Sequence, residues 1–207
     1  MTFIIFDTEY TSWKGCQENG WHGQQKKEIV QIAALKVDEH LNVKDELAIF
    51  CKPQINPVLS DYFVELTGIS NNLIAQKGIF FAEAYEKFSN FVNSNVCYSH
   101  GWGSDSNNAC DGEIIAENLH LYNLLPNKKI IYKNIAPLFK ALYEKHHLDI
   151  KSQSSGQIVK LLGICSRLEK LHIDEHNALF DVYSILEGLR YFAADIDIQR
   201  MELKDCR

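Results

Sequence analysis

Phe3-Ile4-Ile5-Phe6-Asp7-Thr8-Glu9 carries four consecutive apolar residues straight into an acidic pair. A short, unbroken apolar run of this kind marks a strand covered on both faces, so Phe3 to Asp7 is the first predicted strand. Alternate side chains of a strand share a face, which places Asp7 and Glu9 side by side at its end. Two carboxylates there repel each other and are poorly solvated. Divalent metal ions compensate such a pair best. Taken alone, the pair also fits a plain solvated strand end.

Working outward, Glu28 to Val37 and Leu47 to Cys51 are the next two predicted strands, the latter ending before Pro53. The period then changes. Val58 to Thr67 sets Leu59, Phe63 and Leu66 on one helical face and stops at Gly68, and Phe80 to Val92 keeps Phe81, Ala84 and Phe88 in phase. Val96 to Ser99 is a fourth strand, Glu113 to Leu124 a helix and Lys129 to Tyr132 a fifth strand, with further helices at 134–145, 154–162 and 177–193. Three strands, two helices, then alternation predict an α/β fold. Its sheet is expected to be mixed and five-stranded, three strands antiparallel and two parallel, flanked by helices, similar to ribonuclease H-like folds. The stretch 10–27, YTSWKGCQENGWHGQQKK, has no apolar period and is too long for a tight turn. It is expected to be a surface excursion, with Trp13, Trp21 and His22 as candidate contacts.

The chain has 207 residues, 46% hydrophobic and 23% charged, which suits one globular domain and argues against disorder. The domain is expected over 1–195, with 196–207 as a short polar tail. No apolar run approaches the roughly 20 residues of a membrane span, and the start lacks the marks of a secretory signal. A cytoplasmic location without membrane contact is therefore expected. The six cysteines, at 16, 51, 97, 110, 165 and 206, form no C-x-x-C pair and are expected to be reduced thiols. The formal net charge of −6 is the wrong sign for a passive nucleic-acid binder.

A second acidic signal lies near the other end, in His176-Asn177-Ala178-Leu179-Phe180-Asp181. Ala178, Val182, Ile185 and Leu189 recur at helical spacing, and Asp181 borders that buried stripe, facing the sheet edge. Five residues do not return to one helical face. His176 and Asp181 converge only if His176 lies ahead of the regular helix, on the loop or first turn.

Asp7-Thr8-Glu9 together with His176 and Asp181 resembles the DEDDh family of 3′-to-5′ exonucleases. That family has a further Asp at the start of a helix after the fourth strand. The matching region here runs from Tyr98 to Ile115 and offers two candidates. Asp105 follows the strand directly, in Trp102-Gly103-Ser104-Asp105. Asp111 has Ile114 and Ile115 at the positions where the family pattern is apolar, and is the favoured match, with 104–110 as an insertion. Lys52-Pro53-Gln54-Ile55-Asn56-Pro57-Val58-Leu59-Ser60, continuing to Leu66-Thr67-Gly68-Ile69, is similar to the branch containing the eukaryotic Eri-1 RNA exonucleases and the bacterial KapD-like proteins. The resemblance spans about residues 3 to 193.

The resemblance implies a metal-dependent 3′-to-5′ exonuclease that releases nucleoside 5′-monophosphates from the 3′ end of RNA, or of single-stranded DNA. Asp7, Glu9, Asp111 and Asp181 would hold two ions, and oxygen-only ligation suits Mg²⁺ or Mn²⁺. His176 would be the general base, a task for which the histidine side chain is suited near neutral pH. Thr8, Leu66, Thr67, Gly68 and Ile69 would border the terminal nucleotide, and His100 and Trp102 are further cleft candidates. The expected partner is nucleic acid with a free 3′ end, RNA favoured over DNA, and the expected state a monomer or homodimer. Two other functions fit the same residues: a non-catalytic nucleic-acid or protein-binding module, and a phosphodiesterase for small nucleotides. Two divalent ions would add +4 to the −6 of the chain, leaving −2. Such a charge fits an enzyme that grips a few nucleotides through metals and stacking.

Overall fold

The apolar run at 3–6 lies at the centre of a sheet. In the computed structural model, which describes residues 2–101, 110–148 and 154–196, β1 (Thr2–Tyr10) runs antiparallel to β2 (Ile29–Asp38) on one side and parallel to β4 (Val96–Ser99) on the other. β3 (Val43–Phe50) pairs antiparallel with β2, and β5 (Ile131–Asn134) pairs parallel with β4, giving the order β3-β2-β1-β4-β5. This is the expected mixed sheet of three antiparallel and two parallel strands.

Helices cover both faces, and the strand alternation decides which side chain meets which layer. Phe3 and Ile5 join Leu35 and Val37 in a core closed by α6 (Ala136–Lys145), α7 (Ile158–Leu161) and α8 (Ala178–Tyr191), through Phe139, Ile158, Val182, Ile185 and Leu189. Ile4 and Phe6 point the other way. They pack with Ile32 and Ala34 under α4 (Phe81–Val92) and α5 (Asp111–Leu121), against Phe88, Ile115 and Leu119. Phe6 is fully buried, and its ring lies 5.5 Å from those of both Phe88 and Tyr132. A third, smaller cluster joins Val30 to Leu59, Phe63, Ile69 and Ile74, seating α2 (Asp61–Thr67) and α3 (Asn71–Lys77) at the end of β2.

Several boundaries differ from the sequence expectation. β1 continues through Glu9 to Tyr10 instead of ending at Asp7, because Thr8, Glu9 and Tyr10 still pair with β2. β3 starts at Val43, not Leu47. Lys44, Asp45 and Glu46 are exposed on this edge strand, where charge protects against further pairing, so their polarity masked the strand. β5 is shifted to Ile131–Asn134, and α5 begins at Asp111, two residues before the expected start. α3 was not expected; the Ser70 hydroxyl caps it, accepting from the Leu73 N–H at 3.1 Å. The expected helix 154–162 is a 3-10 turn at Ser155–Gln157 followed by α7. The stretch 10–27 carries the short α1 (Cys16–Asn19).

Cysteine chemistry corrects one expectation. Cys16, Cys51, Cys97 and Cys165 are free thiols, but Cys110, just ahead of α5, is disulfide-bonded. Cys206 and the tail from 197 onward lie outside the described residues. No helix among the described residues is long and apolar enough to cross a membrane.

Candidate active site

The alternation along β1 distributes the acidic residues. Asp7 and Glu9 continue the face of Phe3 and Ile5, toward α8, where they meet Asp181. One carboxylate oxygen from each of these three residues lies within 4.8 Å of the others. Thr8 continues the face of Ile4 and Phe6, toward α5. Its N–H and hydroxyl both donate to Asp111 Oδ1, at 2.9 and 2.6 Å. Asp111 is also fixed from β4, where the Ser99 hydroxyl accepts from its N–H at 3.2 Å. The carboxyl ends of two adjacent parallel strands thus deliver four acids to one cleft of about 440 Å³.

The electrostatics follow from burial. Asp7, Asp111 and Asp181 are all buried. Desolvation pushes the Asp7 and Glu9 carboxyls well above the ordinary carboxylate range, and the neighbouring acids push them further. Burial raises Asp111 to about 6 against its Thr8 and Ser99 hydrogen bonds. Burial likewise raises Asp181 to about 7, although the Ser155 hydroxyl donates to its Oδ2 at 2.9 Å and the His176 backbone hydrogen-bonds the same carboxyl. Ser155 also approaches Asp7 Oδ1 at 3.3 Å. Asp111 Oδ2 and Asp181 Oδ1 are buried with no hydrogen-bond partner among the described residues. Orphaned, acceptor-only oxygens beside two further carboxylates form a donor set that fits a hard divalent cation.

Asn177 caps α8, accepting from the Leu179 N–H at 3.2 Å, so His176 stands one residue ahead of the helix, as the spacing required. Its backbone is left-handed, with φ of 66°, and its side chain lines the cleft. Gly156 lies against Asp181: a Cβ there would stand 2.5 Å from Asp181 Oδ1 and 2.8 Å from Glu175 Cβ. Only glycine lets the 155–157 turn approach the carboxylate this closely.

Of the residues singled out from the sequence, Asp7, Thr8, Glu9, Leu66, His100, Asp111, His176 and Asp181 line the cleft. Thr67, Gly68 and Ile69 do not. The Thr67 hydroxyl is used within its own turn, donating to Phe63 O and accepting from Ile69 N–H. Gly68 ends α2 in the left-handed conformation and Ile69 is turned into the small core. Trp13, Trp21 and His22 are also absent from the lining; the Trp21 indole donates to Thr11 O instead. Asp105 and Trp102 lie outside the described residues. Burial lowers the His100 imidazole to about 4, which keeps it neutral. Tyr10, Ser12, Gln17, Tyr62, Ser154 and Ser155 complete the wall. Tyr62 was within reach of sequence reasoning, one helical turn before Leu66; Ser155 carried no such signal.

The sheet order, its helical layers and the acid-lined cleft are those of the ribonuclease H-like exonuclease class. The RNase_T exonuclease family model matches residues 4–189, and the chain belongs to that family; the resemblance to DEDDh exonucleases is borne out. No curated protein matches by sequence. Among solved structures, the nuclease domain of 3′hExo, a DEDDh family member bound to rAMP, superposes with a TM-score of 0.67 at 19% identity, covering 100% of this chain and 96% of that one. Cell-death related nuclease 4 (CRN-4) gives 0.68 at 18%, over 99% and 65%. E. coli Exonuclease I in complex with a dA16 oligonucleotide gives 0.67 at 18%, over 93% and 41%.

Proposed function

We propose that this chain is a 3′-to-5′ exonuclease that hydrolyses the terminal phosphodiester of RNA, or of single-stranded DNA, and releases nucleoside 5′-monophosphates. One observation carries the reading: Asp7, Glu9 and Asp181 converge within 4.8 Å, with Asp111 and His176 on the same cleft. Mg²⁺ or Mn²⁺ bound there, two per site, would neutralise the phosphate, activate a water and stabilise the leaving 3′ oxygen.

The protein's own groups do the rest. Asp7, Glu9 and Asp181 offer oxygens from the α8 side of β1, and Asp111 offers its free Oδ2 from the α5 side. Thr8 fixes Asp111 through both donors, leaving one oxygen free for the ion. His176 accepts the proton of the attacking water on an imidazole nitrogen. Leu66 and Tyr62, half-buried on α2, form the wall against which the terminal base packs. RNA is favoured by the 52–69 similarity to Eri-1-like enzymes. One solved neighbour is described as a 3′-exonuclease recognising the 3′ end of a histone mRNA stem-loop, and another binds dA16, so both polymers belong in the test.

The test uses RNA and DNA oligonucleotides labelled at the 5′ or the 3′ end, with Mn²⁺ or EDTA. The expected result is metal-dependent shortening of 5′-labelled strands and immediate release of 3′-labelled mononucleotide. No metal-dependent cleavage of any oligonucleotide or dinucleotide would overturn the reading. Cleavage of dinucleotides alone would move it to a small-nucleotide phosphodiesterase.

A further inference from the structure

β2 sends two buried polar side chains across the molecule, and neither reaches the acidic cluster. Glu28, just before β2, has no exposed surface. Its Oε1 accepts from the N–H groups of Gln54 (2.6 Å) and Ile55 (2.8 Å), its Oε2 from that of Asn56 (2.6 Å), and the Tyr122 hydroxyl also donates to Oε1. Three consecutive amides wrapped on one carboxylate fix the backbone of 54–56. Four residues later Ser60 caps α2, and its hydroxyl donates to Ser12 O at 2.6 Å. α2 carries Tyr62 and Leu66, the cleft wall.

Gln31 is 2% exposed and pairs across the sheet with Glu9, so it faces α8. Its Oε1 accepts from the Ala178 N–H at 3.0 Å and its Nε2 donates to Asn177 Oδ1 at 3.1 Å. The same Asn177 oxygen caps α8. Gln31 thereby ties β2 to the turn that presents His176.

We infer that Glu28 and Gln31 are positioning residues with separate tasks: Glu28 sets the α2 wall that receives the terminal nucleotide, and Gln31 sets the turn that carries His176. The inference rests on the proposed roles of that wall and of His176. Charge-assisted bonds to three amides are strong, and a misplacement of about 1 Å near the chemistry can cost about a hundredfold in rate.

Two isosteric variants separate the tasks. Glu28→Gln sets an amide NH₂ against a backbone N–H, and Gln31→Met removes both α8 bonds while keeping volume. Kinetics on a 5′-labelled oligonucleotide with Mn²⁺ should show KM raised about tenfold with little change in kcat for E28Q, and kcat lowered about tenfold with little change in KM for Q31M. Mn²⁺ affinity should stay within about twofold in both, since neither residue touches a carboxylate of the cluster. Hydrogen exchange gives a readout that needs no activity: faster exchange confined to 54–68 in E28Q and to 177–181 in Q31M. Unchanged kinetic constants in an active enzyme, or exchange that rises equally in both regions, would overturn the inference and leave only a general structural role. A wild-type protein inactive on every substrate would instead count against the proposed function, and the exchange pattern would still decide the positioning.

Discussion

Asp181→Asn tests the electrostatic account without any substrate. Burial raises the Asp181 carboxyl from 3.8 to about 7 in the metal-free protein. Between those values the folded protein holds a proton that the unfolded chain has lost. The stability this proton contributes is fully present below pH 4 and is lost as pH rises through 7. A shift of about three units corresponds to a ceiling of about 4 kcal/mol. At pH 5 only the unfolded chain has gained from ionisation, by about 2 kcal/mol; by pH 8 the full penalty applies. Asparagine has a similar shape and no proton to lose, and its carbonyl can still accept from Ser155. The advantage of D181N over wild type, measured by urea unfolding in EDTA, should therefore grow by about 2 kcal/mol between pH 5 and pH 8. The comparison across pH cancels any fixed difference between the two side chains. Saturating Mn²⁺ should reverse the order at pH 8, because the ion stabilises the carboxylate form. A pH-independent difference, or one that shrinks as pH rises, would refute the reasoning that burial and crowding of acids dominate this site.

Three further outcomes follow from the same geometry. His176→Ala should lower kcat by about 10²–10⁴-fold, the usual worth of a general base, with Mn²⁺ affinity in calorimetry unchanged; near-wild-type turnover would remove the base assignment. Gly156→Ala puts a methyl 2.5 Å from Asp181 Oδ1 and should weaken Mn²⁺ binding about tenfold or more, whereas wild-type affinity would mean the turn yields freely. Leu66→Ala should raise KM for a 3′-ended oligonucleotide by about 1–3 kcal/mol equivalent, the typical value of base stacking on a side chain, with kcat little affected; an unchanged KM would take Leu66 out of the wall.

The parts of the fold legible in the sequence were those where one force acts alone. The run at 3–6 reads as a central strand because both its faces are covered. The spacing of five between His176 and Asp181 placed the histidine ahead of α8, where it stands as the residue before the cap. β3 was half hidden, since an edge strand answers to solubility as well as pairing, and α3 is too short for a periodic signal. In the site, Ser155 left no trace in the sequence, because only the packing of the 155–157 turn onto α8 brings it to Asp181. Thr67, Gly68 and Ile69 matched a family stretch, yet their side chains end a helix and fill a core. A motif marks where the backbone goes, and neighbouring packing decides which of its side chains reach the cleft.

The central claim is that Asp7, Glu9, Asp111 and Asp181 form one metal centre. Anomalous diffraction from crystals soaked in Mn²⁺ with a nucleoside 5′-monophosphate measures this directly. Two peaks about 4 Å apart, both within bonding reach of these four carboxylates, are the predicted result; no peak there, or manganese bound only elsewhere on the chain, would contradict it.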